Sequence, residues 1–155
     1  MSFLIDNSDY FHFLEKCAEV AKKSTCHRSK CGSIVVYNNQ IIGSGYNSMP
    51  CNANQSCFKD TLSPTFKSDK TCCVHAEQRA IMDALKHFPD KVIGSRLYFV
   101  RLDDANHIKI SGKPYCTICS KMALDAGISE FVLLHTEGIT VYNTQEYNVL
   151  SFQYQ

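Results

Sequence analysis

The pattern of apolar and polar positions along the chain predicts alternating helices and strands. Apolar residues recur at helical spacing in 9–24, 74–87 and 116–126, and Gly127 after the last of these segments is a usual helix stop. Short runs rich in apolar and β-branched residues predict strands between and after these helices, at residues 33–37, 40–46, 97–101 and 131–134. Helices that alternate with strands are typical of an α/β layer architecture.

The remaining segments complete this outline. The Asn-Asn pair at 38–39 suits a tight turn, so the first two strands form a hairpin and the sheet is mixed. Residues 48–72 are a long connection with two prolines and three cysteines, and residues 102–113 are polar and irregular. The tail from Thr136 favours one more strand and a short helix. Because there is no internal repeat and no Pro/Gly-rich linker, we predict a single domain over residues 1–155.

The composition is that of a soluble globular protein. Hydrophobic residues make up 45% of the 155 positions and charged residues 20%, which argues against disorder. The net charge of +1 argues against a strongly basic nucleic-acid-binding protein. No apolar run reaches the roughly 20 residues of a membrane span, and the N-terminus lacks the basic and apolar regions of a signal peptide. We therefore expect a cytoplasmic protein without a membrane partner.

The nine cysteines are the unusual feature of the composition. In a reducing compartment cysteines more often bind metal or pack in the core than form disulfides, and the odd count agrees with that. Most of the nine are therefore expected to be buried thiols, and a few are candidate metal ligands.

Two short segments carry candidate metal chemistry. The His75-Ala76-Glu77 segment opens one predicted helix, and Cys116 and Cys119 open another. One histidine and two cysteines are ligands that zinc prefers, and three protein ligands leave a fourth position for water. Two cysteines three residues apart share one helix face, and a helix N-terminus favours the thiolates that zinc requires. Glu77 would lie beside the metal without binding it, where a carboxylate can move protons.

Each segment alone has an ordinary interpretation. A single C-x-x-C pair is often a redox pair or half of a structural zinc site, and a single histidine at a helix start is often a cap. Together, H-x-E and C-x-x-C about 40 residues apart, each opening a helix, favour a catalytic zinc site.

These residues resemble the cytidine and deoxycytidylate deaminase superfamily, whose signature is H-x-E followed by P-C-x-x-C. The resemblance extends from about residue 21 to residue 134 and is closest to the deoxycytidylate branch. It is carried by Ser24-Thr25-Cys26, by residues 31–36, by residues 41–50 with Gly45-Tyr46-Asn47, by residues 74–81, and by residues 119–128.

The resemblance implies a fold and a reaction. The fold would be a three-layer α/β/α sandwich with a mixed five-stranded sheet. The reaction would be hydrolytic deamination of a cytosine nucleotide, with dCMP converted to dUMP and ammonia. Zinc held by His75, Cys116 and Cys119 would carry the hydroxide that attacks C4, while Glu77 shuttles protons. The resemblance also implies that Asn47 contacts the sugar, that the amide of Ala76 helps to hold the base, and that the chain forms a homo-oligomer, from a dimer to a hexamer.

Three features depart from the family pattern and bear on the substrate. Tyr115 separates Pro114 from Cys116, where the family has Pro next to Cys. Arg79 replaces an asparagine; it would either bind a substrate phosphate in a bidentate manner or lie on a solvated helix surface, and both alternatives remain open. Residues 102–113 are longer than the usual connection, and we expect them to line the pocket.

Two further groups have weaker signals. A second, structural zinc would use Cys51, Cys57, Cys72 or Cys73, although the adjacent pair is not expected to bind one ion together; otherwise these are packed thiols.

A basic run follows the first helix, and we favour a solvated face over phosphate or effector binding. Its residues are Lys22, Lys23, His27, Arg28 and Lys30.

Other functions stay open beside a dCMP deaminase. Within the same chemistry, the substrate could be another nucleoside, a base, a modified pyrimidine or a base in transfer RNA; the low net charge and Gly45-Tyr46-Asn47 favour a small nucleotide. Outside deaminase chemistry, the chain could be a zinc-bearing binding module or a dithiol redox protein. The presence of Glu77 argues against a binding module, which needs no proton shuttle. A redox protein would use Cys116 and Cys119 without His75.

Overall fold

The computed structural model describes residues 3–5, 8–53, 63, 65 and 72–154. Its helices are α1 (Ser8–Ala21), α2 (Ala76–His87), α3 (Thr117–Ala126) and α4 (Thr144–Gln153). Its strands are β1 (Phe3–Ile5), β2 (Lys30–Tyr37), β3 (Gln40–Tyr46), β4 (Arg96–Leu102), β5 (Ile108–Lys109), β6 (Glu130–His135) and β7 (Gly138–Asn143). The longest of these helices, α1, has 14 residues, and no helix in the described part of the chain is long and apolar enough to cross a membrane.

The described strands pair in one mixed sheet. Their order is β1-β7-β6-β4-β2-β3, with β5 beside β4. The pair β4–β6 is parallel and the other pairs are antiparallel. The five longer strands are those of the predicted five-stranded sheet. The additional strands, β1 with three residues and β5 with two, are too short for an alternating pattern to reveal them.

Side chains of the central strands point alternately to the two faces of the sheet and bury two cores. On β2, Ile34 and Val36 pack with α1, whereas Val35 packs with α2 on the other face. Ala123 of α3 and Tyr147 of α4 join the second core. One helix therefore covers one face and three helices cover the other, which confirms the predicted α/β/α sandwich.

Helix α2 lies close to β3 because β3 carries glycines where the two elements meet. A Cβ atom at Gly45 would lie 2.6 Å from the backbone oxygen of Ala76 and 2.5 Å from Cβ of Arg79, closer than such atoms approach. Gly43 has the same relation to the middle of α2. Since α2 begins directly after His75, these glycines determine how near to the sheet this predicted metal ligand lies.

Two helices differ in their bounds from the sequence prediction. Helix α1 ends before residue 24 because Ser24 turns its hydroxyl toward the backbone oxygen and Oδ1 of Asn47, at 2.7 and 2.6 Å. Helix α2 begins after residue 74 because Val74 pairs with Ser48, its N–H donating to the Ser48 oxygen at 2.9 Å. The tail from Thr136 forms β7 and α4, the strand and short helix expected there.

Candidate active site

The predicted metal ligands come together where α2 and α3 begin. His75 precedes α2, Cys116 precedes α3, and Cys119 lies in the first turn of α3. The Nδ1 atom of His75 lies 3.2 Å from Sγ of Cys119 and 3.3 Å from Sγ of Cys116. The three ligand atoms lie within 4.8 Å of one another, and no second cluster of this kind occurs among the described residues.

This donor set fits a zinc ion. Zinc in tetrahedral geometry, with its usual bond lengths to nitrogen and sulfur, separates two such ligands by roughly 3.5 Å. The observed separations of 3.2 and 3.3 Å are close to that value. One imidazole and two sulfurs leave the fourth position open, which is the arrangement of catalytic zinc sites.

Local hydrogen bonds prepare the two thiols for a metal. The N–H of Cys119 donates to Sγ of Cys116 at 3.4 Å, so Cys116 caps the N-terminus of α3. Hydrogen bonding from the Cys119 thiol, supported by His75, lowers the pKa of Cys116 to about 4. The same thiol–thiol hydrogen bond, together with burial, raises the pKa of Cys119. Zinc binds thiolates, so its binding by both sulfurs would release the protons that these thiols still hold.

Glu77 is buried beside these ligands without belonging to the cluster. It lies in the first turn of α2 and is only 7% exposed. Burial raises the pKa of the Glu77 carboxyl, and the charge of Cys116 adds to this effect while His75 opposes it. The turn is anchored by Gln78, whose side chain accepts a hydrogen bond from the N–H of His75 at 3.0 Å. A carboxyl group with a raised pKa beside an open metal position suits a group that accepts and returns protons.

A cavity of about 450 Å³ adjoins the cluster. This volume lies in the range of small-molecule sites. Five of the predicted site residues line it: Asn47, His75, Ala76, Glu77 and Cys116. Cys119 is buried within the ligand cluster. The structure thus brings together every predicted site residue except Arg79.

Asn47 is held in the cavity wall by the start of β2 and by the segment that precedes it. Its Oδ1 accepts hydrogen bonds from the Cys31 N–H at 2.8 Å and the Ser24 hydroxyl at 2.6 Å. Its Nδ2 donates to the backbone oxygen of Ser29 at 2.7 Å. An amide nitrogen carries two N–H groups, so one is left for a ligand. The role of Asn47 in substrate binding stays a prediction, with the side chain already oriented by the protein.

Arg79 lies outside this cavity and lines a smaller pocket with Asn52. Its guanidinium donates to the backbone oxygens of Tyr46 at 3.0 Å and Met49 at 2.9 Å, and to the hydroxyl of Ser48. Arg79 therefore holds the segment that follows β3 by hydrogen bonds. The sequence suggested two other roles for it, a contact to a substrate phosphate and a place on a solvated helix surface. The geometry does not support a phosphate-binding role for Arg79, and that role stays a prediction.

The segment 102–113 folds back on the sheet and reaches the cavity. It contains β5, which pairs with the end of β4, where the sequence suggests irregular structure. Ser111 and Lys113 line the cavity, as expected for this insertion. Tyr115 also lines it and packs edge to face against Tyr154 of the tail, with ring centroids 5.3 Å apart.

A protein-family model matches most of this chain, including both segments of the candidate metal site. The model of the cytidine and deoxycytidylate deaminase zinc-binding region matches residues 7–135, which include both helix starts of the metal cluster. The chain belongs to the cytidine and deoxycytidylate deaminase family. Membership confirms the resemblance carried by the H-x-E and C-x-x-C motifs, and with it the assignment of the chain to the hydrolytic deaminases.

Two relatives of this deaminase-family chain are deoxycytidylate deaminases. The one from Mycobacterium phage D29 is 29% identical over 130 residues, which cover 78% of this chain and 90% of the phage protein. The one from Schizosaccharomyces pombe is 30% identical over 86 residues, which cover 47% of this chain. The second match spans only 24% of the length of the yeast protein.

Solved structures share the fold of this family member. The dCMP deaminase from the cyanophage S-TIM5, in complex with dCMP and dUMP, has a TM-score of 0.58 at 24% identity, covering 82% of this chain and 81% of that chain. The cytidine deaminase from Burkholderia pseudomallei has a TM-score of 0.59 at 16% identity, covering 89% of this chain and 94% of that chain. At these identities the two structures confirm the fold alone.

The cysteines named for a second zinc are dispersed in this deaminase. Cys51 is exposed and lines the smaller pocket, whereas Cys72 and Cys73 line the main cavity. Cys57 lies outside the described residues. In the described part of the chain, the only cluster of three or more candidate ligands is the one at His75. A second, structural zinc therefore stays a prediction.

Three residues of the deaminase cavity escape prediction from the sequence. Arg28 belongs to the basic run, for which a solvated face is the simpler interpretation, yet it lines the cavity. Arg101 lies near the end of β4, and Tyr147 lies in α4, where it stacks on Phe131 at 4.0 Å. Neither Arg101 nor Tyr147 belongs to a local motif; strand ends and a distant helix converge on the cavity only in the folded chain.

Proposed function

We propose that this chain is a zinc-dependent hydrolytic deaminase of a cytosine nucleotide, converting dCMP to dUMP and ammonia. One observation carries the proposal: a single cavity combines an open His-Cys-Cys cluster, the buried carboxyl of Glu77 and several basic side chains. The names of the two relatives, both deoxycytidylate deaminases, support a cytosine nucleotide as substrate.

His75, Cys116 and Cys119 would hold the zinc ion. When bound, zinc supplies Lewis-acid activation of water. The contribution of the protein is to fix the three ligands on the starts of two helices packed against one sheet, and to leave one coordination position open.

Glu77 moves the protons of the reaction. Hydrolysis of the cytosine amine moves both protons of the attacking water, one to N3 and one to the leaving amine. The carboxyl suits this task because burial raises its pKa and thereby stabilises the protonated form that must exist between the two transfers. A purely structural metal site has no need of such a group.

Ala76 and Asn47 orient the substrate. The N–H of Ala76 is one of the first amides of α2, which lack partners within the helix, and Ala76 lines the cavity. It is therefore available to hold the base, while the remaining N–H of Asn47 is available to the sugar.

A nucleotide fits the charge of the cavity better than an uncharged nucleoside or base. Arg28, Arg101 and Lys113 line the cavity, and Glu77 is the only acidic residue among its described lining residues. Transfer RNA is a weaker candidate, because the net charge of +1 does not supply the broad basic surface that RNA binding requires.

Ammonia release from a panel of compounds tests the proposal. We expect the zinc-loaded protein to show its highest kcat/KM with dCMP, in a series that also includes CMP, deoxycytidine, cytosine, guanine and transfer RNA. The Glu77→Gln protein serves as the control for background release. Release from none of the compounds would point to a non-catalytic binding module, and a preference for guanine or transfer RNA would reject the cytosine nucleotide.

We further propose that the enzyme works in the cytoplasm as a homo-oligomer. The described cysteines are free thiols, which supports a reducing compartment.

Apolar side chains of α2 and α4, among them Met82, Leu85 and Phe152, are exposed on the helical layer and support self-association. Light scattering of the purified protein would contradict the oligomer if it gives the 17.5 kDa mass of one chain.

A further inference from the structure

The segment 102–113 is attached to the sheet by contacts that the proposed chemistry does not use. The N–H of Ser111 donates to the backbone oxygen of Leu134 at 2.8 Å, and the backbone oxygen of Ser111 lies 3.1 Å from Nδ1 of His135. Because a carbonyl oxygen can only accept, His135 is the donor in the second contact. The part of the segment that lines the cavity is therefore held at the end of β6.

The second ring nitrogen of His135 connects this attachment to β7. A neutral histidine that donates from Nδ1 has an acceptor at Nε2. The hydroxyl of Tyr142 lies 2.7 Å from Nε2 and therefore donates to it. The two rings also pack edge to face, at 89° and with their centroids 5.8 Å apart. Both ring nitrogens of His135 are thus hydrogen-bonded, and its orientation is fixed from two sides.

Tyr142 in turn contacts α4, which forms another part of the cavity wall. Its ring packs edge to face on Tyr147, with centroids 5.6 Å apart, and Tyr147 stacks on Phe131 at 4.0 Å. Tyr147 lines the cavity. Burial raises the pKa of its hydroxyl, and the charges of Glu77 and Cys119 add to this effect. Tyr147 therefore lies toward the metal end of the cavity, between two rings that fix its position.

One series of contacts therefore joins two parts of the cavity wall that are distant in the sequence. It runs from Ser111 through His135 and Tyr142 to Tyr147. Ser111 and Tyr147 line the cavity, whereas the two residues between them are not among its described lining residues. The buried hydroxyl of Ser111 has no hydrogen-bond partner in the described part of the chain, so it is available to a ligand. A shift of this wall would change ligand binding and leave the metal ligands in place.

We propose that His135 and Tyr142 are positioning residues, which set the width of the active-site cavity by holding the segment 102–113 in a fixed place relative to α4. The kinetic consequences of this inference rest on the proposed deaminase function. The segment is longer than the family pattern leads one to expect, so it needs an attachment of its own, and the His135–Tyr142 pair supplies it. The pair acts on substrate binding through Ser111 and Tyr147 and takes no part in proton transfer.

Steady-state kinetics of the zinc-loaded protein test the positioning role. Tyr142→Phe removes one hydroxyl and keeps the ring contacts, so it should raise KM for dCMP about 10-fold and change kcat by less than about 3-fold. His135→Phe removes both hydrogen bonds and should raise KM about 30-fold. His135→Gln keeps a donor and an acceptor and should return KM to within about 3-fold of wild type. His107→Phe is the matched control, because His107 lies in the same segment with its side chain 79% exposed.

The double variant His135→Phe/Tyr142→Phe tests whether the two residues act as one unit. In His135→Phe the Tyr142 hydroxyl has already lost its acceptor, so the double variant should show the same KM as His135→Phe alone. Multiplication of the two single effects would overturn the pairing.

Hydrogen exchange separates this inference from the proposed function, because it needs no substrate. In His135→Phe the amide hydrogens of residues 102–113 should exchange at least about 10-fold faster than in the wild type, while those of α2 and α3 stay unchanged. If the wild-type protein releases no ammonia from any cytosine compound, the proposed function fails, and the exchange rates still decide the attachment. Unchanged exchange in the segment, or a loss of kcat at constant KM, would overturn the proposal.

Zinc content and thermal unfolding of each variant serve as controls for folding. If His135→Phe does not fold, Tyr142→Phe makes the same two measurements, because it removes a single oxygen atom and leaves the ring in the core. Faster exchange over the whole chain, with equal losses of zinc and activity, would show that the pair only stabilises the fold and would reject the positioning role.

Discussion

Two parts of one cavity are built in different ways. The metal end, formed by His75, Glu77, Cys116 and Cys119, stands on the first turns of two helices. The basic wall, formed by Arg28, Arg101, Ser111 and Lys113, comes from the segment after α1, from β4 and from the insertion. In the proposed function, the metal end would carry the reaction and the basic wall would contact the part of the substrate that the reaction does not change. The two parts should therefore respond differently to mutation: damage to the metal end should affect every substrate, whereas damage to the wall should depend on whether the substrate has a phosphate.

Loss of a metal ligand should have the largest effect. We expect Cys116→Ser to lose most of its zinc and to reduce turnover at least about 10⁴-fold on dCMP and deoxycytidine alike, because metal activation of water is removed. Zinc analysis and ammonia release measure the two effects. Cys26→Ser is the matched control, since Cys26 lines the cavity outside the ligand cluster and should keep its zinc. A Cys116→Ser protein with full zinc and full activity would contradict the assignment of the site.

Glu77→Gln should come second. Glutamine keeps the size and much of the hydrogen bonding of the carboxyl group but cannot shuttle a proton, so kcat should fall about 10³- to 10⁴-fold for both substrates. Zinc content and dUMP affinity should remain near those of the wild type. Turnover close to wild type would reject Glu77 as the proton carrier, and loss of zinc would show that its role is structural.

Arg79→Gln should have the smallest effect, because Arg79 lies outside the main cavity. Because Arg79 clamps the segment that leads to Asn47 and Met49, its loss should reduce the free energy of unfolding by about 1–3 kcal/mol. It should also lower kcat/KM by a similar factor, about 3- to 10-fold, on dCMP and deoxycytidine. Denaturant unfolding and the two substrate assays provide the measurements. A loss confined to dCMP would instead support the phosphate contact predicted for Arg79 from the sequence.

The elements of the fold were predictable to different degrees. The five longer strands and the helices α1, α2 and α3 follow from periodicity, because each buries a regular face in one of the two cores. The short strands β1 and β5 exist only because a neighbouring strand edge is available to pair with them. The end of α1 was placed too late, because the competing partner of Ser24 is Asn47, far along the chain.

The candidate site divides in the same way. The grouping of His75, Cys116 and Cys119 was predictable because the spacing of candidate ligands at a helix start is a local property, and their ligand atoms lie within 4.8 Å of one another. Arg79 shows the opposite case. Its position in the motif suggested a substrate contact, but the direction of its side chain depends on the carbonyl groups that the segment after β3 presents to it.

By itself, then, the sequence determined the hydrolytic deaminase family and the layer architecture of this protein, since both rest on residue types at short, regular spacing. Only the tertiary structure decided which side chains share the cavity with the metal. Arg28, Arg101 and Tyr147 are separated by long stretches of chain, and they meet because the sheet order and the packing of α4 bring them to one cavity. The spacing of these residues along the chain does not show that their side chains line one cavity, because that depends on how distant elements pack.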